Sequence, residues 1–345
     1  MSLVGIELVV FPAALAASFV LTALLRRHAL AHRLMDVPNE RSSHTVPTPR
    51  DGGIAFVVAY LAGLLVLAAN GLADSSLVIA LSGAGGVVAL VGFVDDRRPL
   101  SAHVRLIAHF ACAGWVLWWL GGVPSISLFG RATALGWLGP VLIALYLVWL
   151  LNLYNFMDGI DGIAGVEAIT VCIGSTLLYW IAAPHPVAWA PPLLLAFAVC
   201  GFLVWNFPQA KIFMGDAGSG FLGLALGILS IEAAWKESAF LWSWVILLGV
   251  FVVDATITLL RRIYRRETLY VAHRSHAYQF AARKLGSHKP VTIAVGFINL
   301  VWLLPLALLV GLGVLDGVAG VCLAYAPLAW LAYRFKAGAR EQQYA

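Results

Sequence analysis

Eleven apolar runs, each about 17 to 25 residues long, follow one another along this chain. They lie near residues 3–25, 53–69, 76–94, 105–122, 137–155, 163–183, 189–206, 219–235, 239–260, 291–312 and 317–334. A run of that length crosses the hydrocarbon of a bilayer as a helix, and there a helix satisfies its own backbone groups. The sequence therefore predicts an all-α, polytopic integral membrane protein of about 11 transmembrane helices. Hydrophobic residues make up 61% of the chain and charged residues 11%, with a mean hydropathy of +0.90, which excludes an ordinary soluble domain. Glu167 and Glu232 fall inside the sixth and eighth runs and make those two the least regular.

Lys and Arg set the expected orientation. With eleven crossings the connections alternate between two sides, and 20 of the 22 basic residues then fall on one of them. Only Arg131 and Lys236 lie on the other. Basic residues stay on the cytoplasmic side, so the N-terminus is expected outside and the C-terminus inside. The whole chain, 1–345, reads as a single membrane-embedded domain. Segments 26–52, 95–105, 155–162, 207–218 and 261–290 are its cytoplasmic loops. The first run is followed by Arg26 and Arg27 and no small-residue cleavage site, so it reads as a retained helix. The net charge of +5 describes that one face, which suits anionic lipid headgroups and anionic substrates, with no nucleic-acid partner expected. Cys112, Cys172, Cys200 and Cys322 all fall inside apolar runs without metal-ligand spacing and read as packing residues.

Carboxylates are expensive beside hydrocarbon, so acids gathered on one membrane face mark a site. Asp95-Asp96 ends the third run, and the two side chains diverge by about 100° on a helix. One can then face a metal and the other a phosphate; a charged helix stop before Arg97-Arg98 is the plainer alternative. Asn155, Asp158 and Asp161 recur every third residue, with Gly159 and Gly162 leaving room beside them and no Lys or Arg nearby. Two acids so placed ask for a divalent cation or a donor-rich ligand. Asn206 and Lys211 supply donors ahead of the glycine-rich Gly215-Asp216-Ala-Gly-Ser219-Gly turn, which offers backbone N–H groups to an anion at a helix start. A bridging Mg²⁺ reconciles Asp216 with a phosphate there. Phe213 suits stacking on a nucleobase, or simply anchoring at the interface. In the first loop, stiffened by Pro47 and Pro49, Arg41, His44 and Arg50 suit phosphate oxygens. In the basic segment His273, Arg274 and His276 read as phosphate or sugar donors, the two histidines sharing a face if helical. Asp254 lies in the ninth run and reads as functional or as support for polar neighbours. The remaining histidines, His288 among them, form no usable pattern.

Taken in order from about Asp36 to Gln279, these motifs resemble the polyprenyl-phosphate N-acetylhexosamine-1-phosphate transferases. The resemblance implies a multi-pass enzyme of the bacterial inner membrane with its active site on the cytoplasmic face. Such an enzyme uses Mg²⁺, with Mn²⁺ as a substitute, to move a sugar-1-phosphate from a UDP-N-acetylhexosamine to undecaprenyl phosphate, releasing UMP. It implies Asp216 as the metal ligand, Asp95 and Asp96 beside the lipid phosphate, Asn155, Asp158 and Asp161 at the nucleotide, and Phe213 near uracil. The peptidoglycan member, phospho-N-acetylmuramoyl-pentapeptide transferase, carries consecutive histidines where this chain has His273-Arg-Ser-His276. The segment looks more like the subgroup that starts O-antigen or similar surface polysaccharide (lipopolysaccharide) synthesis. Its sugar stays open between N-acetylglucosamine and 6-deoxy relatives such as N-acetylfucosamine or N-acetylquinovosamine. A homodimer is left open. A secondary transporter is the competing class, but its acids belong near the bilayer midplane and an internal repeat is missing here.

Overall fold

The computed structural model of the chain describes residues 3–38, 46–182, 187–267 and 273–339. Helices occupy every apolar run of the sequence: α1 (Leu3–Ala31), α2 (Gly53–Ala69), α3 (Ser75–Arg97), α4 (Ala102–Trp119), α5 (Leu138–Met157), α6 (Ile163–Ala182), α7 (Ala190–Asn206) and α8 (Gly215–Lys236), then α9 (Phe240–Leu247), α10 (Gly249–Tyr264), α11 (Ala277–Leu285), α12 (Lys289–Ile298), α13 (Leu304–Gly311) and α14 (Gly317–Arg334). Among the described residues two small antiparallel ladders accompany the helices, β1 (Met35–Asp36) with β2 (Thr48–Pro49), and β3 (Ile126–Leu128) with β4 (Arg131–Thr133). The second is the hairpin that the polar–apolar alternation around Ser125 to Gly130 suggests.

Among the described residues six helices are long and apolar enough to cross a membrane, and seven if α9 and α10 form one span. That is fewer than the eleven drawn from the sequence, because α2 and α7 reach only 17 residues and others fall short in length or apolarity. The ninth run departs from a straight helix. It breaks at Leu248, and α9 and α10 meet at 71°. The tenth run holds α12 and α13 joined through a π-helical turn, Asn299–Leu303, whose Asn299 is buried.

Helix α8 is the axis of the molecule: every residue from Ala217 to Ala234 is buried. Its glycines explain how. Gly223 lies against the Leu150 carbonyl and Leu151 of α5, Gly218 against Gly53 of α2, and α3 brings Gly92 onto the backbone of Asp216 and Ala217. A Cβ on Gly92 would fall 2.5 Å from the Ala217 nitrogen, so α3 and α8 touch backbone to backbone. Small residues that let helices approach closely are what hold membrane bundles together. Here they also bring the end of α3 to the start of α8, and with it Asp96 to Asp216.

Buried acids inside the bundle are tied up internally. Glu167 accepts from the Asn299 amide at 2.7 Å, and Glu232 meets Lys236 at 3.1 Å and the Tyr179 hydroxyl at 3.4 Å. Asp254 of α10 accepts the backbone N–H groups of Ala277 and Tyr278 at 2.9 and 3.0 Å, which fastens the N-terminus of the amphipathic α11.

Candidate active site

The two adjacent acids at the end of α3 diverge, as a helix end requires. Asp95 accepts the Leu100 N–H and pairs with the Arg105 guanidinium, both at 2.6 Å, which clamps the α3–α4 turn. Asp96 turns the other way. Its Oδ2 accepts the backbone N–H of Asp216 at 2.8 Å, and its Oδ1 lies 3.3 Å from Arg50. So the start of α8, which the sequence offers to a substrate anion, already gives one N–H to Asp96. Gly215, at φ +75°, makes this contact: a Cβ there would lie 2.8 Å from Asp96 Oδ2. Arg50 also pairs with Asp36 at 2.8 Å. Burial works against its charge, but Asp36 and Asp96 outweigh burial and raise its pKa.

Across from them, the Asn155 amide donates to Asp216 Oδ1 at 2.8 Å and to the Ser219 hydroxyl at 3.1 Å. Asn155 therefore fixes the Asp216 rotamer. Asp158, the C-cap of α5, accepts no side-chain hydrogen bond among the described residues. Burial, then the neighbouring Asp216 and Asp161, push its carboxyl up to about 7. Asp161 is braced instead: His288 Nδ1 stands 3.1 Å from its Oδ1, and the Ala210 N–H donates to its Oδ2 at 3.0 Å. Asn206 is a brace as well, accepting from the Gly162 N–H at 2.9 Å and donating to the Ile212 carbonyl at 3.0 Å.

These groups surround one cavity of about 470 Å³. Of the residues picked from sequence, Arg50, Asp95, Asp96, Asn155, Asp158, Asp161, Asn206, Phe213, Gly215, Asp216 and Ser219 line it. A second cavity of about 200 Å³ shares Asp95, Arg105, Asn155 and Asp216 with the first and continues between apolar side chains such as Val91, Leu106 and Leu151.

Other expected residues are elsewhere. Lys211 is exposed, its ammonium 5.7 Å from the Trp205 ring centroid. His273, Arg274 and His276 do not line the cavity. Nor do the two histidines share a helical face: His276 is the N-cap of α11, its Nδ1 3.3 Å from Asp254, and His273 stacks on it from the preceding turn at 4.9 Å. Burial, followed by His276 and Arg262, lowers the His273 pKa to about 3, so its ring stays neutral. Arg41 and His44 lie outside the described residues. Conversely, Arg105, Gln279 and His288 line the cavity without having been singled out. Arg105 reads in sequence as a lone cation at the start of an apolar run. The signal for His288 is slight, a His-Lys-Pro helix start.

Among the described residues no three His, Cys, Asp or Glu side chains form a ready metal cage. Mg²⁺ does not need one: it binds through one or two carboxylates and completes its shell with water and phosphate oxygens. Asp158, a carboxylate without a donor beside Asp216, fits that role, and the oxygen-only donor set suits Mg²⁺.

The profile of glycosyl transferase family 4 matches residues 77–234. A decaprenyl-phosphate N-acetylglucosaminephosphotransferase of Mycobacterium leprae is 31% identical over 77% of this chain and 75% of its own length. The probable undecaprenyl-phosphate N-acetylglucosaminyl 1-phosphate transferase of Bacillus subtilis is 28% identical over 85% of this chain and 82% of its own. A phospho-N-acetylmuramoyl-pentapeptide-transferase of Synechococcus elongatus is 31% identical over 75% and 72%. The chain belongs to glycosyl transferase family 4, among the polyprenyl-phosphate N-acetylhexosamine-1-phosphate transferases.

Proposed function

We propose that this protein transfers N-acetylglucosamine-1-phosphate from UDP-N-acetylglucosamine to undecaprenyl phosphate, releasing UMP, on the cytoplasmic face of a bacterial inner membrane. The product starts a lipid-linked glycan of the O-antigen type. The observation that carries this reading is the cavity itself: six aspartates and two arginines gather in one polar space that continues into an apolar one. Two relatives named for N-acetylglucosamine support the sugar, and the basic asymmetry of the sequence supports eleven crossings with the N-terminus outside.

The chemistry is a single in-line displacement. An oxygen of the lipid phosphate attacks the β-phosphorus of the donor, the bond to the bridging oxygen breaks, and UMP leaves with that oxygen. Arg105 and Arg50 meet the acceptor phosphate, and Asp95 and Asp96 hold the two guanidiniums in place. Asn155 keeps Asp216 turned into the cavity. Asp158 and Asp216 would hold Mg²⁺, which supplies charge neutralisation of the donor's phosphates when bound. Phe213 offers a ring to the uracil.

The test is UMP release by purified protein in detergent with undecaprenyl phosphate and a panel of donors, UDP-MurNAc-pentapeptide and UDP-6-deoxy sugars included, with and without Mg²⁺. Lipid- and Mg²⁺-dependent release from UDP-N-acetylglucosamine, lost in Asp216→Asn, is the expected result. Release from the pentapeptide donor alone would reassign the pathway. A phosphorylated aspartate trapped with donor and no lipid would replace the single displacement by a double one.

A further inference from the structure

A third cavity, of about 170 Å³, lies between α10, α11, α12 and α14 and shares no lining residue with the other two. Alanines make the space: Ala281 of α11, Ala294 of α12 and Ala332 of α14 line it. The carboxylate in its wall, Asp254, spends its oxygens on the Ala277 and Tyr278 N–H groups, so the crevice offers an apolar surface. It opens sideways. Ala294 is exposed, and so are Ile293 and Phe297 beside it on α12, as on a helix side that meets hydrocarbon. Along α12 the lining runs from Pro290 to Ile298, a rise of about 12 Å. Half of a bilayer's hydrocarbon is about 15 Å thick. The crevice thus has the depth and the polarity of a slot for one acyl chain.

Its mouth is basic. Leu285 ends α11, Pro290 begins α12 and Phe335 follows α14, and all three line the crevice at the end of the bundle that carries the active site. Lys284, Lys289 and Arg334 stand next to them in the chain. These three are exposed, and no described carboxylate pairs with them. Unneutralised cations at the mouth of an apolar slot match an anionic headgroup on an acyl chain. The second cavity, not this one, continues from the active site, so the acceptor's chain is not the occupant. Helix α11 stands between the crevice and the active site. Tyr278 lines the crevice, and its hydroxyl donates to the Phe156 carbonyl at 3.0 Å; Gln279 lines the active-site cavity.

We propose that the crevice binds an acyl chain of an anionic glycerophospholipid, with its headgroup on Lys284, Lys289 and Arg334, and that this lipid braces α11 against the active site. The test titrates delipidated full-length protein in detergent with phosphatidylglycerol and with phosphatidylcholine, reading bound lipid by native mass spectrometry and stability by thermal melting. Phosphatidylglycerol binds at least about tenfold more tightly than phosphatidylcholine and raises the melting temperature. Each of Lys284→Ala, Lys289→Ala and Arg334→Ala weakens phosphatidylglycerol binding about fivefold and phosphatidylcholine binding little. Arg27→Ala with Arg33→Ala, which removes two exposed cations at the end of α1, changes neither. Ala294→Phe fills the slot and abolishes the site for both lipids, and the smaller Ala294→Leu weakens it. In phosphatidylcholine vesicles, added phosphatidylglycerol raises UMP release by wild type and not by Ala294→Phe. Equal affinity for the two lipids, or undiminished phosphatidylglycerol binding in both Ala294→Phe and the triple cation variant, overturns the inference. Undecaprenyl phosphate that displaces phosphatidylglycerol, with an acceptor KM raised by Ala294→Phe, gives the slot to the acceptor and overturns it as well. Binding is read without turnover, so a wild-type protein that releases no UMP defeats the functional reading and leaves the lipid site to its own measurement.

Discussion

Asp158 should be a group that the reaction needs and the ligand-free fold would be better without. Its carboxyl sits at about 7 because of burial and of Asp216 and Asp161 beside it. An unfolded chain would hold it near 3.9, at about the ordinary value. Below about pH 4 both states are protonated and nothing is lost. Between about pH 4 and pH 7 the unfolded chain ionises first, so stability falls as pH rises. Above about pH 7 both are ionised and the cost is complete, on the order of 4 kcal/mol as a ceiling, since the side chain still touches the open cavity. Asp158→Asn removes the charge, and its amide can donate to Asp216 or Asp161. In EDTA the variant should therefore melt at the wild-type temperature near about pH 4 and several degrees higher near about pH 8. UMP release should be abolished at both. Added Mg²⁺ should raise the wild-type melting temperature at the higher pH and leave the variant nearly unmoved. A variant less stable than wild type at about pH 8, or a difference that does not change with pH, would refute the electrostatic argument.

Other substitutions probe the framework around that acid. Arg105→Gln strips Asp95 of its partner and should raise the lipid KM about tenfold with the donor KM unchanged, read by steady-state UMP release. Gly92→Ala forces α3 away from α8; activity should drop at least about tenfold, with a stability loss of about 1–3 kcal/mol by thermal melting, and a fully active variant would contradict the backbone contact. Asp254→Ala frees the start of α11 and should destabilise by about 2–4 kcal/mol, whereas Asp254→Asn, which keeps one acceptor, loses about half as much.

Much of this protein was legible in its sequence, and the reason is locality. Apolar runs of span length report helices whatever surrounds them, and every run holds one. The Asp95-Asp96 divergence is a property of any helix end. The glycines before and within α8 mark close backbone approach, and the acids at helix ends lie round one cavity. What the tertiary structure alone decided is what each side chain does there. Asp96 caps Asp216, 120 residues away, and Asp161 meets His288, 127 residues away. No local pattern encodes such partners, because they depend on which helices pack together. The same packing gave Asn206 and Asp161, both at the cavity wall, bracing contacts to neighbouring segments, drew His276 to Asp254 and out of the cavity, and broke the ninth run at Leu248. Hydrophobic length acts on each segment by itself, so sequence determines the helices. Hydrogen bonds and ion pairs act between segments, so only the assembled bundle assigns the roles of its acids.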